Sequence, residues 1–226
     1  MDVRLYWRSS GLSRRGCLAG LVPWLLGLNL FAVMAILAHF YSYFPADLWV
    51  SHRIQDMGGV WYRDSLNAAE RMSDTPLILV VWLVFFGGFI WARLWGEAFL
   101  WLAAIAARPA EALMKIIVDR PRPSPELVAV HGAPADAAFP SGHVVGSFLI
   151  YGLIFYFAAV LIPNRWLRLL VQAVCLYVIT FDAMERIWAG HHWFSDVYSG
   201  MLFAALYLAE LIWLHRHVIR RQVLAP

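Results

Sequence analysis

Five apolar runs stand out along the chain, at 18–42, 76–95, 144–162, 166–183 and 196–214. A helix needs about 20 mostly apolar residues to cross a hydrocarbon layer of roughly 30 Å, so each run predicts a membrane-spanning helix. The first run follows Arg14 and Arg15, as the core of a signal peptide would. It is longer than the ~7–15 apolar residues of such a core and lacks a clear small-residue cleavage site, so it is read as a retained span. A sixth candidate, 97–118, is weaker, because Arg108, Pro109 and Glu111 separate "FLWLAAIAA" from "ALMKIIV".

Charge bias decides in favour of the sixth. The clusters "RLYWRSSGLSRR" near the start, "NRWLR" at 164–168 and "HRHVIRR" at 215–221 fall on one side of the membrane only if 97–118 crosses it. The expectation is an all-α polytopic membrane protein: six transmembrane helices in one bundle, one domain over 1–226, both termini cytoplasmic. Arg108 and Glu111, three apart, share a helix face and are expected to pair toward the bundle interior. The segments 43–75 and 119–143 then face outward; "DMGGVWYRD" in the first suits an interfacial helix or turn, and the prolines of the second exclude one continuous helix.

Composition agrees with the pattern. Hydrophobic residues make up 62% and charged residues 15%, with mean hydropathy +0.63; soluble domains carry about 25% charge. The formal charge is +3, and of the 18 basic residues a single one, Lys115, is lysine. Arginines scattered at span ends read as topology signals rather than a nucleic-acid surface. Cys17 and Cys175 have no Cys or His neighbours at zinc-ligand spacing and define no disulfide framework.

The predicted topology brings three polar clusters to one membrane face. Lys115 and "DRPRP" end the third span, "PSGH" at 140–143 opens the fourth, and "ERIWAGHHWFSD" joins the fifth to the sixth. Lys115, Arg120, Arg122 and Arg186 make the region cationic, and the arginine fork matches phosphate oxygens two at a time. Ser141 is placed to cap a helix N-terminus, where Gly142 would let an anion approach the backbone N–H groups. His192 and Asp196 are four apart, so Asp196 is expected to accept the Nδ1 proton of His192 and leave Nε2 with a lone pair. His191 has only Ser195 at that offset. His192 is therefore the candidate nucleophile or base, and His143 the candidate proton donor.

These residues resemble the type 2 phosphatidic acid phosphatase family, whose signature is Lys-x6-Arg-Pro, Pro-Ser-Gly-His and Ser-Arg-x5-His-x3-Asp. Here the parts are Lys115 to Arg122-Pro123, Pro140-Ser141-Gly142-His143, and Arg186, His192, Asp196, all at matching spacing within 115–196. The resemblance implies that His192 attacks phosphorus to give a phosphohistidine, that His143 protonates the leaving group and later activates water, and that Asp196 orients His192. Lys115, Arg122, Ser141, Gly142 and Arg186 would hold the phosphoryl oxygens. It implies no metal and no cofactor, a lipid phosphate monoester or diphosphate as substrate, a bacterial cytoplasmic membrane, and a site on its outer face.

Two positions depart from the pattern. Glu185 stands where the family has serine, and His191 takes the place of a small or apolar residue beside the nucleophile. Arg120 lies outside the strict pattern and is read as solvated or in contact with a head group. Two other classes share some of these features: a vanadium haloperoxidase, which would be soluble, and a non-catalytic lipid-phosphate transporter or binding protein, which has no need of the His143, His192 and Asp196 set.

Overall fold

A computed structural model describes residues 14–132 and 134–219, with side chains from residue 21 to 217. Arg4, Arg8, Arg220 and Arg221 lie outside the described residues, as do the side chains of Arg14, Arg15 and Cys17. The order of elements is α1 (Arg14–Phe40), α2 (Pro45–Gln55), α3 (Val60–Ser73), α4 (Thr75–Trp91), α5 (Trp95–Ala103), one 3-10 turn (Ala104–Ala106), α6 (Ala107–Val118), α7 (Gly142–Leu161), α8 (Arg165–Trp188), α9 (Phe194–Leu214) and a π-helical turn (His215–Ile219). The described residues hold no strand, and the all-helical membrane fold stands.

The span count is less regular than six straight helices. Leu21–Phe40, Gly142–Leu161, Arg165–Trp188 and Phe194–His217 are long and apolar enough to cross a membrane, and α3 with α4, bent by 53°, makes a fifth if the two are one broken span. The expected span 97–118 is helical but divided at 104–106. Pro109 offers no N–H to the Ile105 carbonyl, so the helix loses one i→i−4 bond and tightens into a 3-10 turn just before it. Neither half meets the length of a span by itself. The segment 43–75, expected as a loop with a short helix, is mostly α2 and α3, and α3 packs along α8.

The helix α7 is central. More than half of its apolar window is buried (56%), against 11% for α1, and it packs against α8 on one side and α9 on the other. The main core gathers Phe89, Leu100, Trp101, Leu153, Phe157 and Val178 from α4, α5, α7 and α8. There the Trp101 indole donates to the Trp82 carbonyl (2.9 Å) and the Trp82 indole to that of Trp101 (3.3 Å), tying α4 to α5. Outward faces keep large apolar side chains such as Leu83, Val84, Ile116, Trp166 and Leu170 exposed, as a lipid-facing surface requires.

The proline-rich segment 119–141 is pinned over the end of the bundle. His52 and Gln55 of α2 bond the Leu127 and Ala129 carbonyls, and the His131 N–H donates to the Ala189 carbonyl. Gly190 makes the approach possible: its φ is +69°, and a Cβ there would stand 2.2 Å from the Ala129 carbonyl oxygen.

Candidate active site

The C-terminal end of α6, the N-terminus of α7 and the α8–α9 turn meet at one end of the bundle, and hydrogen bonds join all three sequence clusters there. Arg122 Nη1 donates to the His191 carbonyl at 2.6 Å and lies 3.2 Å from His192 Nε2. The Ser141 N–H donates to the Asp196 carbonyl at 3.2 Å. Arg108 donates to the Gly142 carbonyl at 2.8 Å.

The tautomer of His192 is fixed from both ends. Nδ1 lies 2.8 Å from the Ala138 carbonyl, which can only accept, so Nδ1 carries the proton. Nε2 faces the Arg122 guanidinium, which can only donate, so Nε2 carries the lone pair. This is the tautomer expected from the sequence, reached through a different acceptor. Asp196 Oδ2 stands 4.0 Å from Nδ1 and instead accepts from the Trp193 N–H at 2.9 Å. Asp196 therefore holds the 193–196 turn that follows His192 rather than the ring itself. Burial, then the charges of Arg122 and Lys115, push the His192 ring well below the ordinary histidine value, despite the opposing Ala138 hydrogen bond. The Nε2 nitrogen is thus free of a proton at neutral pH.

His191 is held differently, with Nε2 2.6 Å from the His131 carbonyl and Nδ1 3.5 Å from Arg186 Nη1. Burial lowers its pKa as well.

Arg120 is corrected most. It is neither solvated nor at a head group: its side chain is fully buried and bonds Asp196 Oδ1 (2.5 Å), the Ser195 hydroxyl (2.7 Å), Asp47 Oδ2 (3.0 Å) and the Tyr41 carbonyl (3.2 Å). The Phe44 ring lies 4.8 Å from the guanidinium carbon. Asp47 is matched in turn by the Phe44 and Ser195 N–H groups at 2.9 and 2.8 Å. A network this fully bonded fixes the start of α9, and with it the turn that carries His192, against the α1–α2 connection.

The α7 N-terminus also differs from expectation. Ser141 occupies the cap position but makes no side-chain cap; its hydroxyl is buried and unpartnered among the described residues. An orphaned hydroxyl there fits a ligand oxygen better than a structural cap. At Gly142 the close approach is made by Glu111, whose carboxylate oxygen would stand 2.3 Å from a Cβ. The expected Arg108–Glu111 pair forms at 3.4 Å, with Glu111 buried and Arg108 more than half exposed.

Two further carboxylates were not foreseen. Asp136 bridges the two cations of the first cluster, with Oδ2 2.5 Å from Lys115 Nζ and Oδ1 2.7 Å from Arg122 Nη2. Partial burial alone would raise its carboxyl, but hydrogen bonds and charge from Lys115 and Arg122 outweigh that and hold it below the ordinary range. Arg186 pairs with Glu70 of α3 at 2.8 Å and with Glu185. Glu185 is buried and turned onto its neighbour, neither out to solvent nor toward Arg120. No sequence spacing links Glu70 or Asp136 to the cations they meet.

An anion bound at Lys115 and Arg122 would displace Asp136. Asp136→Asn keeps the shape and removes the competing charge, so it should lower KM for a lipid phosphate several-fold and raise kcat/KM; steady-state kinetics check this, and a raised KM would show that Asp136 helps to assemble the site. An apolar cavity of about 320 Å³ opens from His143 and Arg108 along Ile78, Leu79, Trp82 and Leu149, between α4, the 3-10 turn, α6 and α7.

A search of curated proteins finds none that matches the chain. Among solved structures, it is similar to the crystal structure of the first transmembrane PAP2 type phosphatidylglycerolphosphate phosphatase from Bacillus subtilis, with a TM-score of 0.74 at 18% identity, over 86% of this chain and 96% of that one. The family model of the PAP2 superfamily matches residues 98–220, which take in Lys115, Arg122, the 140–143 turn and the whole α8–α9 junction. The chain belongs to the PAP2 superfamily.

Proposed function

We propose that this chain is an integral membrane phosphatase that releases phosphate from a lipid phosphate monoester or diphosphate through a phosphohistidine on His192. The observation that carries the reading is the His192 ring: its Nδ1 proton is committed to Ala138, and its Nε2 lone pair faces the anion-binding Arg122. Phosphate bound to Lys115, Arg122, Arg186 and the orphaned Ser141 hydroxyl would present phosphorus to Nε2, with these donors stabilising the charge that develops in the transition state. As the P–N bond forms and the ester P–O bond breaks, His143 gives a proton to the leaving oxygen; it then takes one from the water that cleaves the phosphohistidine.

The apolar cavity beside His143 supports a lipid substrate, because a chain lying in it keeps its head group at the polar end. The charge bias of 164–168 supports an outer-face site with cytoplasmic termini, since Lys115, Ser141 and His192 sit at the opposite end of the helices from Arg165 and Arg168. Phosphatidate, phosphatidylglycerol phosphate, a polyprenyl diphosphate and a phosphorylated glycolipid all present the required group.

Purified protein in detergent should release phosphate from at least one of these four lipids, in excess chelator as well as without it, because arginine, lysine, histidine and serine supply the donor set. Activity that vanishes with chelator and returns with a divalent ion would contradict the mechanism; lipid binding without release would make the chain a binding protein.

A further inference from the structure

The helix α8 carries a carboxylate to which the mechanism above gives no role. Asp182 lies one turn before Arg186 and is fully buried. Its Oδ2 accepts from the Ser147 hydroxyl at 2.6 Å. Its Oδ1 has no hydrogen-bond partner among the described residues, and the same holds for the buried Nε2 of His143, 3.9 Å away. His143 and Ser147 are four apart on α7, so one face of that helix presents both to Asp182. A buried donor and a buried acceptor left unmatched are each unfavourable, and a small rotation of the imidazole joins them.

We propose that Asp182 is a positioning residue for His143, accepting a hydrogen bond from Nε2–H and leaving Nδ1 as the nitrogen that exchanges a proton with the substrate. The side chain of His143 is 27% exposed although its Nε2 is buried, so the accessible part of the ring lies away from Asp182. The two histidines then work with opposite nitrogens: His192 is held at Nδ1 and attacks through Nε2, and His143 is held at Nε2 and acts through Nδ1. In the first half-reaction the Nδ1 proton passes to the oxygen released as the ester bond breaks. In the second, Nδ1 takes a proton from water as the water oxygen bonds phosphorus and the P–N bond breaks. Nε2–H stays on Asp182 throughout, and the carboxylate stabilises the ring in its cationic form. The other charged groups facing His143 are Arg186 of α8, Arg108 of α6 and Asp74 at the α3–α4 break.

The inference rests on the phosphatase reading, and its test separates the two through the leaving group. An alkoxide needs a proton to depart; para-nitrophenolate departs without one. Asp182→Asn, which keeps volume and can still bond Ser147, should lower kcat/KM on a short-chain phosphatidate by about 30-fold, somewhat less than the roughly 100-fold or more that a general acid itself contributes; kcat/KM reads the steps through phosphohistidine formation and leaves out the water step common to all substrates. Its kcat/KM on para-nitrophenyl phosphate should fall by about threefold or less. His143→Ala should show the same contrast in kcat/KM, and the double variant should be no slower by that measure than His143→Ala alone. Equal losses on both substrates, or losses that multiply in the double variant, overturn the assignment of Asp182 while leaving the phosphatase reading intact. No phosphate release by the wild-type protein from either substrate overturns both. If Asp182→Asn does not fold, Ser147→Ala, which frees Oδ2, decides: a smaller loss confined to phosphatidate supports the role, and an equal loss on both substrates overturns it.

Discussion

Replacing His192 by alanine is expected to cut phosphate release from a lipid phosphate by a factor on the order of 10³ or more, whereas His191→Ala keeps most of it. The two rings are neighbours in sequence and differ in what holds them. His191 Nε2 is held by the His131 carbonyl, and His192 turns its Nε2 lone pair toward Arg122. The measurement is phosphate release at matched amounts of folded protein, and equal losses in the two variants would remove the assignment. The acid side of the pH profile carries the same information. Burial and the charges of Arg122 and Lys115 depress the His192 value, so the ring stays neutral through pH 7 and down past the ordinary histidine value of about 6.5. The unfolded chain takes up the proton first, so stability tied to this ring is lost as pH falls through about 6.5 toward the depressed folded value.

Arg120→Met is expected to destabilise the protein by about 3–5 kcal/mol, because it leaves Asp47 and Asp196 buried without their cation. Both carboxylates and the guanidinium are fully enclosed, so neither water nor salt screens the loss. Adding Asp47→Asn removes one of the uncompensated charges and should recover part of the loss, a coupling that a double-mutant cycle on thermal unfolding in detergent would measure. An unfolding temperature unchanged in Arg120→Met would mean that the network does not hold the α8–α9 turn.

The parts of this site that repeat at helical or motif spacing were legible in the sequence. His192 and Asp196, Arg108 and Glu111, and the cluster from Lys115 to Arg122 were all found from offsets along the chain. What spacing could not reveal is contact across the fold. Asp47 meets Arg120 from 73 positions away in sequence, and Glu70 reaches Arg186 only because α3 lies along α8. Arg120 shows the limit best, since a loop arginine between prolines has the sequence appearance of a solvated residue, and only three-dimensional closure makes it the buried centre of a network. The same limit explains Asp196: the His-x3-Asp offset brings the residues together, but the nearby Ala138 carbonyl, supplied by the 119–141 segment, takes the histidine proton. For the span at 97–118, Pro109 was visible as an interruption, and the backbone bond it removes accounts for the 3-10 turn that divides the helix.

The covalent intermediate is the central claim, and alkaline quenching tests it most directly, because a phosphohistidine survives base and is lost in acid. Protein mixed with a lipid phosphate labelled in its phosphoryl group and stopped within one turnover should carry base-stable, acid-labile label on the peptide containing His192. The label should accumulate in His143→Ala when the leaving group needs no proton, since that variant cannot activate the water that clears it, and it should be absent from His192→Ala. Label retained in His192→Ala, or phosphate released at full rate with no labelled protein at any time, would contradict the account.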